Sequence, residues 1–176
     1  AARKMDVYIP TICYHPDLPS PNKVKSVEVV YRGSEKAASE SPEKEFEGCK
    51  LCLVQVEGRE ELVLACSTAV FDGLKVYTET ERVLGTRKVE LMRILAKHPH
   101  ACLICAQKEG CTTEPCSTNV PKEERCCSKF GNCELERIAG YIGIREDTPR
   151  YIPRNLPVLE NEPLFLRDYN LCIGCT

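Results

Sequence analysis

Thirteen of the 176 residues are cysteine, and this constrains the fold more than any other feature of the sequence. Six of them form C-x-x-C pairs, namely Cys49/Cys52, Cys102/Cys105 and Cys172/Cys175. Such pairs are commoner as metal ligands than as halves of separate disulfides, and an odd cysteine count leaves one thiol unpaired. The first residues show no charged start followed by an apolar run, so no signal peptide is indicated. We therefore expect a reduced, cytoplasmic metal protein rather than a secreted disulfide scaffold.

Several classes of partner and activity receive no support from the sequence. The formal net charge is only -2, with acidic and basic residues interspersed, so nucleic acid is not an expected partner. No run approaches 18 uninterrupted apolar residues, so direct insertion into a membrane is not expected. The chain also lacks a G-x-G-x-x-G motif opening a helix, a P-loop and a nucleophile elbow. We therefore expect no substrate site within this chain.

The pattern of apolar residues predicts strands in the first half. Alternation predicts strands within Lys23–Tyr31 and Cys52–Gly58, and two more strands on either side of the Asp72-Gly73 turn. The polar, acidic stretch at 32–48 is most simply a solvated loop.

Helices are predicted later, around a segment with an unusual composition. Apolar residues at helical spacing predict a helix within 86–99, and the segment 133–144 predicts a second, shorter one. Between them, residues 102–133 contain seven cysteines and almost no aliphatic residue. Metal ligation must therefore supply the stability that apolar burial cannot. The proline-rich residues from 149 onward predict an extended strap, and the chain as a whole is predicted to be α+β.

The spacing of the first four cysteines favours an iron-sulfur cluster. A plant-type [2Fe-2S] site uses one cysteine, a later C-x-x-C in a tight loop and a distant fourth, as in Cys13, Cys49, Cys52 and Cys66. Zinc also accepts four thiolates, but zinc ribbons usually present two matched C-x-x-C knuckles, and only one is present here. Spacing alone therefore prefers iron-sulfur and leaves zinc open.

Three segments also resemble a known family. YIPTICYHPDL, GCKLCLVQVEG and LACSTAVFDGLKVYTET resemble the N-terminal [2Fe-2S] domain shared by the large iron-sulfur subunit of respiratory complex I, NAD-dependent formate dehydrogenases and [FeFe] hydrogenases. The resemblance implies that Cys13, Cys49, Cys52 and Cys66 are the cluster ligands. It implies an incomplete β-grasp ferredoxin domain at 1–84, with an insertion at about 20–47 and without the family's opening β-hairpin.

The stretch HPHACLIC extends the resemblance to a second cluster. The family follows its first domain with a small domain in which H-P-x-x-C-x-x-C and a third cysteine hold a [4Fe-4S] cluster, which implies His98, Cys102 and Cys105 as ligands. Cys111 has the family's interval for the third cysteine, whereas Cys133 has the family-like successor ELERIA. We expect Cys133, within a domain at 85–148 that carries a cysteine-rich insertion at about 106–127. Without the resemblance, His98 would more simply hydrogen-bond the carbonyls at a helix end.

The remaining cysteines suggest further centres. The inserted segment supplies four cysteines, which are Cys111, Cys116, Cys126 and Cys127. We hypothesise that they hold a second [4Fe-4S] cluster. The alternatives are that they bind zinc or that some of them are free thiols. At the end of the chain, RDYNLCIGCT resembles the start of a bacterial ferredoxin motif. Cys172 and Cys175 would then be two ligands of a cluster whose other ligands lie beyond Thr176. We therefore expect residues 149–176 to form an extended strap followed by the start of a ferredoxin module.

Together these features predict an electron relay. The resemblance implies that the chain passes electrons between a flavoprotein partner or domain (FAD or FMN, NAD(P)H-linked) and a catalytic centre of a larger, anaerobic-type oxidoreductase. That centre could act on formate, hydrogen, a quinone or a disulfide, and the sequence does not choose among them. Two rival interpretations are a zinc-stabilised binding module and an iron-sulfur redox sensor.

Overall fold

The structure, a computed structural model, describes residues 1–18, 27–32, 35–38, 46–100, 103, 133–152, 155–160 and 163–173. Within these ranges the strands and α-helices follow in this order: β1 (Val29–Arg32), β2 (Glu35–Ala38), β3 (Leu53–Val56), β4 (Val63–Leu64), β5 (Val76–Tyr77), α1 (Glu81–Leu95) and α2 (Glu134–Ile142). Short 3-10 helices occupy Ala2–Met5 and Tyr169–Leu171. The combination of antiparallel strands with separate helices confirms the predicted α+β class.

The central sheet is built on β3, which pairs antiparallel with β4 on one side and with β5 on the other. Val54 and Val56 of β3 are buried and the alternate residues are half-buried, as the alternation predicted. The turn at Asp72-Gly73 exists, with Gly73 in a left-handed conformation (φ 86°). The two strands predicted on either side of this turn are β4 and β5, and each of them pairs with β3 rather than with the other.

A second, two-stranded sheet lies inside the segment expected to be an insertion. β1 and β2 pair antiparallel, with Arg32 opposite Glu35 and Val29 opposite Ala38. The prediction that 32–48 is wholly a solvated loop is therefore wrong for Glu35–Ala38. The strand forms although its sequence, EKAA, does not alternate between apolar and polar residues, because β1 provides its backbone hydrogen-bond partners.

Helix α1 begins earlier than its apolar pattern predicted. The Thr80 hydroxyl accepts a hydrogen bond from the Val83 backbone N–H at 3.3 Å, so the helix starts at Glu81 rather than near residue 86. Helix α2 starts after Cys133, as predicted, and buries Leu135, Ile138 and Ile142 on one face.

The apolar core joins both helices to the cysteine-bearing loops. Its buried members come from α1, from α2 and from two loop residues, and they are Ile12, Leu51, Leu91, Leu95, Leu135, Ile138, Ala139 and Ile142. Cys49 and Cys133 are half-buried at the edge of this cluster. Packing of the helices therefore fixes the backbone beside two of the predicted ligands.

The C-terminal segment folds back on itself. Leu159 and Arg167 exchange both backbone hydrogen bonds, at 2.9 and 3.1 Å, in an isolated antiparallel bridge. The Asn170 side chain bonds both the N–H and the carbonyl of Leu156, each at 2.9 Å. Within the expected strap, backbone pairing therefore holds residues 159 and 167 together. None of the helices in the described ranges is long and apolar enough to span a bilayer.

Candidate metal centre

Cys13 and Cys49 form the first of two thiol pairs. The Cys49 backbone N–H donates to the Cys13 sulfur at 3.2 Å, and the Ile12 N–H donates to the Cys49 sulfur at 3.5 Å. Positive φ values at Gly48 (79°) and Lys50 (57°) wind the loop around Cys49, and left-handed backbone is uncommon for a lysine. Two loops 36 residues apart in sequence are thus bonded to each other through sulfur.

Cys52 and Cys66 form the second pair. Cys52 immediately precedes β3 and is only 2% exposed, and its carbonyl accepts a hydrogen bond from the Ala65 N–H at 3.1 Å. This bond continues the pairing of β3 with β4 and brings the next residue, Cys66, to Cys52. The Cys52 sulfur interacts with both the side chain and the backbone of Cys66 through hydrogen bonds.

The electrostatics of these thiols reflect their pairing. The hydrogen bond to Cys49, followed by burial, raises the pKa of Cys13 well above its usual range. The same hydrogen bond lowers the pKa of Cys49 to about 5. The hydrogen bond to Cys66, followed by burial, raises the pKa of Cys52. Cys13 also feels the charge of Cys66, and Cys52 that of Cys49, so all four sulfurs belong to one electrostatic cluster.

The four thiols fit the ligand set of a two-iron group. All the cysteines in the described ranges are free thiols, as thiolate ligation requires. Two separate pairs are the arrangement expected when each of two irons takes two thiolates. Backbone N–H groups directed at the sulfurs suit a negatively charged group.

His98 lies just beyond the end of α1. Its N–H bonds the Leu95 carbonyl at 3.1 Å, and its ring Nδ1 contacts the Pro99 carbonyl oxygen at 2.8 Å. Burial lowers the pKa of His98, while interactions with the Pro99 and Leu171 backbone oppose this shift. His98 is 7% exposed, so a neutral imidazole is favoured, which is the form that ligates metals. A hydrogen bond from Nδ1 is also what commonly orients a metal-bound histidine.

The structure describes only some ligands of the other predicted sites. Cys133 caps the start of α2 and is half-buried against the apolar core. Cys172 follows the second 3-10 helix and is exposed. The other predicted ligands lie outside the described residues, and they are Cys102, Cys105, Cys111, Cys116, Cys126, Cys127 and Cys175.

The sequence interpretation overlooked one buried charge beside the first site. Arg87 is 0% exposed and donates from Nε and Nη2 to the Leu53 carbonyl, at 3.2 and 2.9 Å. Leu53 directly follows Cys52 in the chain. The signal was present in the sequence, because Arg87 continues the spacing of four that connects Val83, Leu91 and Leu95 on the buried face of α1.

The N-terminal part of the chain is similar to a class of iron-sulfur domain. Residues 1–81 match the family described as a 2Fe-2S iron-sulfur cluster binding domain, and all four paired cysteines fall within that match. The predicted resemblance is therefore confirmed for this part of the chain.

Relatives extend the similarity to the whole chain. The NADP-reducing hydrogenase subunit HndD of Solidesulfovibrio fructosivorans is 30% identical over 99% of this chain and 23% of its own length. An NADH-quinone oxidoreductase subunit of Rhizobium meliloti is 27% identical over 99% of this chain and 15% of its own length. A putative formate dehydrogenase of Bacillus subtilis is 25% identical over 72% of this chain and 11% of its own length. The predicted relationship to hydrogenase, complex I and formate dehydrogenase sequences is confirmed, and the chain spans less than a quarter of each of these relatives.

A solved structure shares the fold. The crystal structure of an NAD+-reducing [NiFe]-hydrogenase superposes with a TM-score of 0.58, at 24% identity, over 99% of this chain and 54% of that one. At this identity the similarity supports the fold alone.

Proposed function

We propose that Cys13, Cys49, Cys52 and Cys66 hold a [2Fe-2S] cluster. The observation that carries the proposal is the arrangement of two hydrogen-bonded thiol pairs in one electrostatic cluster, with Cys13 and Cys52 almost fully buried. The match of residues 1–81 to a 2Fe-2S binding domain supports it. When bound, such a cluster accepts and releases one electron. The surrounding backbone N–H groups would stabilise the negative charge of the four thiolates.

A [4Fe-4S] cluster held by His98, Cys102, Cys105 and Cys133 is the second part of the proposal. The buried, neutral imidazole of His98 and the position of Cys133 at the start of α2 are compatible with this role. Replacing one thiolate by imidazole makes the ligand set less negative and should raise the reduction potential. A further [4Fe-4S] site at Cys111, Cys116, Cys126 and Cys127, and the start of a ferredoxin module at Cys172 and Cys175, complete the proposed set.

The function that these sites support best is electron relay within a larger oxidoreductase. The relatives carry names of NAD(P)H-linked or quinone-linked enzymes, and we infer that this chain works beside an NAD(P)H-linked flavoprotein and a separate catalytic centre in the cytoplasm. The described residues contribute thiols, imidazole and backbone donors, which hold and tune a redox group rather than bind a substrate. The substrate of the parent enzyme would be formate, hydrogen, a quinone or a disulfide.

Anaerobic purification followed by iron and acid-labile sulfide quantification tests the proposal. Electron paramagnetic resonance (EPR) should show one [2Fe-2S] signal and at least one [4Fe-4S] signal, and His98→Cys should perturb only the latter. Cys52→Ser should remove the [2Fe-2S] signal, whereas Cys172→Ser, at an exposed thiol, should leave it intact. A colourless protein with zinc and no sulfide would identify the zinc-stabilised binding module instead, and rapid regulatory loss of the clusters in air would favour the redox sensor.

A further inference from the structure

Helix α1 buries a positive charge in the middle of its apolar face. Its buried residues are Val83, Arg87, Leu91 and Leu95, and Arg87 is as inaccessible to solvent as the leucines. Burying a charged group is costly unless it is paired or does something that the site requires. Because an arginine side chain does not lose its proton in a protein, the charge remains despite the burial.

The guanidinium is bonded to backbone and not to an acid. Nε and Nη2 share the Leu53 carbonyl, and the Tyr141 side chain also interacts with the guanidinium. Nη1 is buried and has no well-aligned hydrogen-bond partner among the described residues. Across those same ranges, no carboxylate forms an ion pair with Arg87. Glu79 is the carboxylate that influences its charge, less than Tyr141 and Cys52 do, and it is exposed and accepts a hydrogen bond from the Tyr141 hydroxyl at 3.3 Å. The positive charge of Arg87 is therefore incompletely neutralised.

The same guanidinium lies beside the proposed cluster site. Leu53, whose carbonyl it holds, is the residue after Cys52. Burial lowers the pKa of Arg87, whereas Tyr141 and a deprotonated Cys52 sulfur stabilise the Arg87 cation. Within a poorly hydrated region, opposite charges interact more strongly than they would in water.

We propose that the fixed positive charge of Arg87 raises the reduction potential of the [2Fe-2S] site. The inference rests on the proposed function of the four cysteines. Reduction adds one electron, and so one negative charge, to a group that four thiolates already make negative. A buried cation nearby stabilises the reduced form more than the oxidised form and raises the potential. The two hydrogen bonds to Leu53 keep the guanidinium at a constant place relative to Cys52.

The test compares three variants of the anaerobically purified protein by EPR-monitored redox titration of the [2Fe-2S] signal. Arg87→Gln removes the buried charge. Arg87→Lys keeps the charge but loses the paired hydrogen bonds from Nε and Nη2 to the Leu53 carbonyl. Arg93→Gln removes an exposed charge from the same helix. Arg93 is a matched control because it is 62% exposed and pairs with Glu90. Removing Arg87 should lower the ratio of reduced to oxidised cluster at a fixed potential at least tenfold, which is about 59 mV for one electron.

The control and the lysine variant decide the outcome. Arg93→Gln should change the ratio less than twofold, since exposed charges are screened by solvent, and Arg87→Lys should stay within about threefold of the unmodified protein. An unchanged potential in Arg87→Gln would overturn the inference. If that variant does not fold, a tenfold or larger fall in Arg87→Lys would overturn it, because the charge is still present there. A protein without iron and sulfide would refute the proposed function itself, and this outcome is distinct from a cluster whose potential ignores Arg87.

Discussion

Cys111 and Cys133 are rival candidates for one position in the proposed [4Fe-4S] site. Cys111 has the interval seen in the resembling family, and Cys133 has the following helix, which packs its Leu135 and Ile138 into the core beside α1. A ligand attached to a rigid, packed element is held in place at lower entropic cost than one in a segment poor in apolar residues. The geometry around α2 thus favours Cys133.

Serine substitution at each candidate separates the two possibilities. Cys133→Ser should remove or strongly alter the signal of the cluster that His98→Cys also perturbs, whereas Cys111→Ser should leave that signal unchanged. EPR of the two variants, with iron content measured in parallel, provides the comparison. The reverse result would assign the position to Cys111 and make the resemblance of ELERIA incidental.

At the scale of elements, α1 connects the sheet to the helical core. The Thr80 hydroxyl accepts from Val83 N–H and donates to the Gln55 side chain of β3 at 3.0 Å, so a single side chain caps the helix and ties it to the strand that follows Cys52. This link could not be predicted from the apolar periodicity, because a hydrogen bond between two polar side chains leaves no apolar pattern in the sequence. The threonine before Glu81 was nevertheless a usable helix-start signal.

Thr80→Ala should therefore destabilise the protein by about 1 kcal/mol, which corresponds to a fall of roughly 2–4 °C in the thermal midpoint for a chain of this size. Thr86→Ala is the matched control, because the Thr86 hydroxyl donates only to the Arg82 carbonyl within the same helix. Alanine has the higher helix propensity, so this control should lie within about 0.5 kcal/mol of the original protein. Thermal unfolding followed by circular dichroism under anaerobic conditions measures both. Equal effects would indicate that Thr80 does not anchor the helix.

For the whole molecule, the two regions should respond differently to loss of iron. The core formed by α1 and α2 is built from apolar side chains, whereas residues 102–133 contain seven cysteines and few aliphatic side chains. Removal of iron by a chelator under reducing conditions should leave the helical signal largely intact and make cleavage within 102–133 much faster. Limited proteolysis with mass spectrometry, with and without iron, reports the sites of cleavage. Identical digestion patterns would show that metal does not stabilise this segment.

The sequence predicted local elements better than their partners. The period-two alternation located β3, and helical spacing located α2, because each signal is contained in a few consecutive residues. The same signals could not show that β4 and β5 both flank β3, nor that polar residues 35–38 would form a strand, because these depend on contacts distant in sequence. The cysteine spacing did group Cys13 with Cys49, but it left open whether iron-sulfur or zinc occupies the site. Arg87 was missed because a charged side chain does not contribute to an apolar pattern.

The hydrogen bond between Cys13 and Cys49 limits the energetic cost of the sequence that lies between them. The β1–β2 sheet lies between two residues whose sulfur and N–H are bonded, so extra residues there add mainly to the entropy of closing the loop. Relative to the interval of about ten residues in the resembling family, closing 36 residues would cost roughly 1 kcal/mol more, because the cost grows only with the logarithm of loop length. An insertion here would thus cost about as much as one ordinary point mutation.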